Sequence, residues 1–405
     1  MRGFMLLLLL WWWWWWWWLF ADITTVNTHV DGSHQPSRKP SVHLTAEEYE
    51  AYQSHCNRMS ITRTGYSPNP DTVIRNYDDL NTRVKAWTEE YICEDMPSLS
   101  ENQKQKIIQG LDTFCIQEPW DTIQALLSPE SRDQFHLYLC EAMVNKLIFT
   151  WFLERPFWFL DGKLDENDET GDPSFAERLH YLYQRYHEAS PVNAVWWRMV
   201  TLGLANLKKD LSPRDPRDNP PYVFGDENRK RQANIAENLA DHLLEDSLFQ
   251  LFLEELAGAE EDTRRRRLIG VLQAGAQYLT AHELALGGQV KVHQLPELKQ
   301  FDPATGIMFS GLVHQRERKN TPPLVPKPHG RVILVLRPGV YRYDLPNQFV
   351  PYDRHISAVE LSRDTDPYLV CKAEVMVEAV KASNPSDASQ PDPEDEDVWF
   401  QRYWG

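Results

Sequence analysis

From Asp71 onward, apolar residues recur at helical spacing. Val73, Tyr77, Leu80, Val84, Trp87 and Tyr91 follow one another at steps of four and three, one stripe of a helix. Ser100 with Gln103 forms a capping box and opens a second helix carrying Ile107, Ile108, Leu111 and Cys115. Thr45 with Glu48 repeats the box ahead of a shorter helix reaching about Met59. Three pairs of a capping residue followed by proline mark further starts. Ser128-Pro129 opens a long helix that ends before Pro156. Asp172-Pro173 opens one through Phe175, Leu179, Leu182 and Tyr186, and Ser190-Pro191 one through Val195, Trp196, Met199 and Val200. After a Pro-rich linker from Ser212 to Pro221, helical patterns run from about Asn228 to Leu256 and from Ala259 to Leu286, where Gly287-Gly288 stops them. About seven to nine helices without sustained strand alternation predict an α-helical domain over residues 45–288.

The pattern changes after Gly288. Residues 296–330 are rich in Pro, Gly and charge, and Arg331 to Leu336 is a short apolar run. It ends at Arg337-Pro338-Gly339, and Val340 to Tyr343 follows, which predicts a β-hairpin or small sheet with a last element near Tyr368 to Val380. The expected fold is therefore mainly α: an irregular multi-helix domain with a small C-terminal β-containing appendage, residues 289–382. Residues 22–44 are polar and aperiodic and read as a linker. Residues 383–405 read as a disordered tail, acidic first and then aromatic at Trp399, Phe400, Tyr403 and Trp404.

Ahead of all this, residues 1–21 carry an uninterrupted apolar block, Phe4 to Ala21, with eight consecutive tryptophans from Trp11 to Trp18. As a helix it would measure roughly 27 Å, enough to cross a bilayer core. Three readings stand side by side. It is a signal-anchor with Arg2 as its positive flank, a cleaved signal ending near Ala21, or a translated trinucleotide repeat ahead of a true start at Met59. The body argues for a reducing compartment. Its five cysteines (Cys56, Cys93, Cys115, Cys140, Cys371) form no CxxC pair, and no Asn-x-Ser/Thr acceptor site occurs. A cytoplasmic or nuclear location is expected, with a membrane location through residues 4–21 as the alternative.

Charge narrows the partners. The 405 residues carry a formal charge of −17, so no nucleic-acid surface is expected. The aromatic cluster Phe149, Trp151, Phe152, Phe157, Trp158 and Phe159 reads as core. The acidic loop Asp161 to Asp172 fails the EF-hand template, because glycine falls one place late at Gly171 and position twelve is Ala176. Arg264 to Arg267 follows Glu260, Glu261 and Asp262 at a spacing of four, which predicts ion pairs along one solvated helix face. Arg229-Lys230-Arg231 is a weaker basic run. His282-Glu283 is not a zinc motif, since position 286 is Leu, and His180, His242 and His314 have no ligand spacing.

Asp78-Asp79-Leu80-Asn81 resembles the acidic metal-binding motif of class I terpene cyclases. That resemblance implies a second motif, for which Asn234, Asn238 and His242 are the nearest match, and a terminal pair echoed by Arg402-Tyr403. The second motif lacks its Ser/Thr and Glu. No catalytic, cofactor-binding or metal residue is assigned on these grounds.

A broader resemblance rests on Pro156 to Asp161, Asn193 to Leu204 and Gly330 to Val340. These stretches are similar to segments of uncharacterised helical proteins from filamentous fungi, across about residues 70–345, and imply no activity or site. The expected role is a non-enzymatic interaction or scaffold module, with a protein partner taken by the acidic-aromatic tail. A membrane-tethered helical protein and a terpene-cyclase-like enzyme are the alternatives.

Overall fold

The computed structural model describes residues 70–165, 167–206, 223–286, 289–310, 330–343 and 368–379. The apolar block 4–21, the linker 22–44, the helix expected before Met59 and the tail 383–405 lie outside the described residues.

Nine α-helices are found among the described residues: α1 (Pro70–Tyr91), α2 (Glu101–Gly110), α3 (Trp120–Leu126), α4 (Pro129–Asp133), α5 (Phe135–Phe152), α6 (Phe175–Ala189), α7 (Pro191–Ala205), α8 (Val223–Glu245) and α9 (Ala259–Leu286). The stripe on α1 is buried along its whole length, from Val73 to Tyr91. At α2 the Ser100 hydroxyl accepts from the Gln103 amide, and the Gln103 side chain accepts from the Ser100 amide in return. Ser128 caps α4, but Gln134 breaks the long helix expected there into α4 and α5. The pattern expected to reach Leu256 stops at Glu245. There the Asp246 carboxylate accepts from the amides of Leu248 and Phe249, both at 2.9 Å, a local turn that competes with helix. No sequence signal was assigned to α3.

Two helices organise the core. α5 is apolar almost all round and buried from Phe135 to Phe152, as a central helix must be. α9 packs against α1, α5, α7 and α8. Its Gly275 permits the close approach to α5, because a β-carbon there would lie 3.1 Å from a methyl of Ile148. The aromatic cluster is core as expected, with Phe152 and Trp158 rings 4.7 Å apart.

The strands are β1 (Gln289–His293), β2 (Met308–Ser310), β3 (Val332–Arg337), β4 (Gly339–Tyr343), β5 (Tyr368–Cys371) and β6 (Ala373–Val377). They form two three-stranded sheets of order β1-β4-β5 and β2-β6-β3. Of the hairpin or small sheet expected from 331–343, with a last element near Tyr368 to Val380, the small sheet is found, and β3 does not pair with β4. β3 and β4 are one arm bent at Pro338, which cannot donate to a ladder. The other arm, β5 then β6, bends at Lys372. The arms run antiparallel as one long ribbon, pairing Val335 with Val375, Arg337 with Glu374 and Val340 with Cys371.

β3 lies at a sheet edge yet every residue in it is buried. The turn after α2 covers that edge: Ile116 donates to the Ile333 carbonyl (3.0 Å) and Val335 donates to Phe114 (2.7 Å). One hydrophobic cluster joins α1, α5, α9 and both sheets. The strands are therefore part of the helical core, and the division expected at residue 288 does not separate two cores. Among the described residues, no helix is long and apolar enough to cross a membrane.

Candidate functional site in a buried polar seam

The core contains a set of buried polar groups. On α1, Tyr77, Asn81 and Lys85 recur every fourth residue and share a face. On α5, Glu141 and Asn145 are one turn apart inside an otherwise apolar helix. Arg337 and Glu374 sit opposite each other on the ribbon arms. These residues meet where α1 and α5 pack on β3 and β6.

The Lys85 ammonium pairs with Glu374, whose side chain is fully buried. The Asn81 amide donates to the other Glu374 oxygen at 3.2 Å. Arg337 Nη1 lies 3.6 Å from the exposed Asp78 carboxylate, and its guanidinium stands 5.5 Å from the Phe309 ring centroid. Asn145 donates to the Leu336 carbonyl at 2.9 Å. Four buried polar atoms here lack a hydrogen-bond partner: Asn81 Oδ1, Glu141 Oε1, Asn145 Oδ1 and Arg337 Nε. Burial, together with the Glu374 charge, pushes the Glu141 carboxyl up to about 8.

One turn back along α1, Tyr77 is hydrogen-bonded to Nδ1 of His282 on α9. Burial holds that imidazole down at about 3, helped by the positive charges of Arg198 and Arg342, so it is neutral in the folded chain. Next to it, Glu283 Oε2 lies 3.1 Å from Arg198 Nε on α7. Burial raises the Glu283 carboxyl against the opposing pull of Arg198. Arg198 also donates to the Tyr183 hydroxyl of α6 at 3.3 Å. The seam thus runs from the ribbon through α1 and α9 to the α6–α7 pair.

The sequence candidates are placed as follows. Asp78 and Asp79 diverge, as neighbours on a helix do. Asp78 faces Arg337, while Asp79 accepts from Arg83 and from the Tyr278 hydroxyl, each at 2.7 Å. Asn238 and His242 are tied to each other on α8, through His242 Nδ1 and the Asn238 carbonyl at 2.7 Å. No group of three His, Cys, Asp or Glu among the described residues is arranged to hold a metal.

The arginine run departs from its expected pairing along one helix face, and Arg264 is buried. Arg265 reaches Asp241 at 2.6 and 2.8 Å and Glu237 at 2.8 Å on α8. Arg267 reaches Glu90 on α1, and Arg264 donates to the Glu254 carbonyl at 2.7 Å. Of the intrahelical pairs, only Arg264 with Glu261 forms, at a long 4.0 Å. The run ties α9 to its neighbours.

The acidic loop 161–172 closes on itself. Asp168 accepts from the amides of Leu164, Thr170 and Gly171, and Asp161 pairs with Arg231. Gly171 has φ of +67°, and a β-carbon there would strike the Asp161 carbonyl oxygen. Gly171→Ala is therefore expected to destabilise by about 2 kcal/mol or more; an unchanged thermal midpoint would contradict this loop geometry. The four cysteines described are free; burial pushes Cys115 up to about 12 and Cys371 to about 11, which keeps both thiols protonated.

No protein-family model, no curated protein and no solved structure matches this chain.

Proposed function

We propose that the chain is a non-enzymatic, helical protein-interaction module and that α6 is its docking element. The observation that carries this reading is that α6, a fifteen-residue helix, has no buried residue. Its inner stripe, Leu179, Tyr183 and His187, is half-covered by the body. Tyr181 (63% exposed), Leu182 (37%) and Tyr186 (44%) stand in solvent, and Tyr186 packs its ring on the edge of Trp197 of α7. Apolar and aromatic positions one turn apart on an exposed helix suit a helix-in-groove contact. The buried seam supports the non-enzymatic half of the reading. Glu374 and His282 are fully buried and Glu141 is 4% exposed, so a substrate has no contact with them in this conformation.

The tail 383–405, outside the described residues, remains a second docking segment within the same proposal, and four free thiols among the described residues support a reducing compartment. The test is cross-linking mass spectrometry in the native cells with the Leu182→Glu/Tyr186→Glu protein and, separately, a chain lacking 383–405. The expected result is loss of cross-linked partners in the first, with the fold retained and stability lower by only about 1 kcal/mol, the loss of the Tyr186–Trp197 ring contact. Full retention of partners by both proteins ends this reading.

A further inference from the structure

We propose that the Lys85–Glu374–Arg337–Glu141 cluster is a pH-operated latch: loss of a proton from Glu141 loosens the β3/β6 ribbon from α1 and α5. The argument starts from charge and geometry. Lys85 and Glu374 pair across the α1–β6 contact, and Arg337 meets Asp78 across the α1–β3 contact. Those pairs cancel. Glu141 stands beside these pairs and forms no ion pair of its own among the described residues.

Its Oε1 is buried without a hydrogen-bond partner. As a neutral carboxyl it adds no charge to a balanced set. As a carboxylate it places a negative charge beside that of Glu374, whose side chain is fully buried, where like charges interact strongly. The groups that act on it come from every side: Lys85 and Glu89 on α1, Arg337 on β3 and Glu374 on β6. Lys85 and Arg337 favour the charged form, while burial, Glu374 and Glu89 oppose it and prevail.

The location gives the charge a mechanical consequence. Asn145, one turn from Glu141, holds the Leu336 carbonyl at the end of β3, and Asn81 and Lys85 hold Glu374 on β6. Repulsion between Glu141 and Glu374 therefore acts across the contact that seats the ribbon. The sign follows from linkage. The Glu141 carboxyl is raised in the fold from 4.5 to about 8, so its contribution is fully present below about pH 4.5 and is lost as pH rises through about 8.

The experiment measures unfolding free energy from about pH 6 to about pH 9.5 for the wild type and Glu141→Gln, and reads the proton-number difference from the slope. Burial raises Glu283 as well, so both proteins also carry Glu283→Gln to keep its titration out of the comparison. The expected result is a slope smaller by one proton in Glu141→Gln. Amide exchange at β3 and β6, corrected for its intrinsic base catalysis, accelerates with pH only where Glu141 is present. An unchanged slope overturns the proposal. Should Glu141→Gln not fold, infrared spectroscopy of the Glu283→Gln protein decides: a protonated-carboxyl band that titrates near pH 8 supports the latch, and none at neutral pH overturns it.

Discussion

Glu374→Leu is expected to destabilise the chain by about 3–5 kcal/mol, the range for removing one partner of a buried ion pair. The substitution leaves the Lys85 ammonium, only 14% exposed, without its anion. It also strips the Asn81 amide of its acceptor. Removing both members of the pair is expected to be less harmful than removing one. Lys85→Met/Glu374→Leu fills the space with apolar groups and abandons no charge between those two positions, so the double variant recovers part of the loss. Recovery stays incomplete because the Asn81 amide still lacks its acceptor. Chemical denaturation of the wild type, both single variants and the double variant closes the cycle. Losses that simply add would show that Lys85 and Glu374 do not act on each other.

That pair also marks the boundary of what the amino-acid sequence made legible. Local signals sufficed where one element carried them. The Val73–Tyr91 stripe, the Ser100–Gln103 box and the Ser190-Pro191 start depend on spacings of three or four, and the helices begin or bury as those spacings require. Long-range pairing left no such trace. The run from Arg331 to Tyr343 contains its own turn residues at Pro338-Gly339 and reads as a hairpin. In the fold those residues bend one arm, whose partner lies beyond Tyr368. The candidate site was hidden for the same reason. Its members are spread over 77–85, 141–145, 198, 282–283, 337 and 374, far apart in the chain. Glu141 and Asn145 inside α5, and Glu374 inside a run of buried strand residues, were the visible signals: a charge in a segment otherwise apolar on every side. The arginine run shows the converse error. The spacing of Glu260 to Asp262 before Arg264 to Arg266 predicts pairs along one helix, but Arg265 takes its partners from α8 and Arg267 from α1, contacts that also secure the packing of the helices.

At the other end of the seam, Arg198→Met is expected to release the α6–α7 pair, with a penalty that grows as pH rises. α6 has no buried residue, so its attachment depends on what α7 and its own inner stripe provide. Arg198 serves both. Its guanidinium lies beside Glu283, donates to the Tyr183 hydroxyl, and stands 5.4 Å from the Tyr183 ring centroid. Methionine keeps the apolar stem and removes the charge. Glu283, 3% exposed, then has burial raising it with the opposing pull of Arg198 gone, and it takes up a proton more readily. A carboxyl with a raised folded value contributes stability that is present at low pH and lost as pH rises. The variant's penalty, measured at a low and at a high pH, is accordingly the larger at the high one, where an unpaired carboxylate must stay buried or the contact must open. Opening begins at α6, which has no buried residue, whereas Leu202 and Ala205 of α7 sit in the core. Amide exchange should therefore rise in α6 before it rises in α5 or α9. Adding Glu283→Gln should remove the pH dependence and most of the excess exchange. A penalty equal at both pH values, or exchange rising uniformly through the core, would show that Arg198 supports the whole fold instead of fastening this helix pair to it.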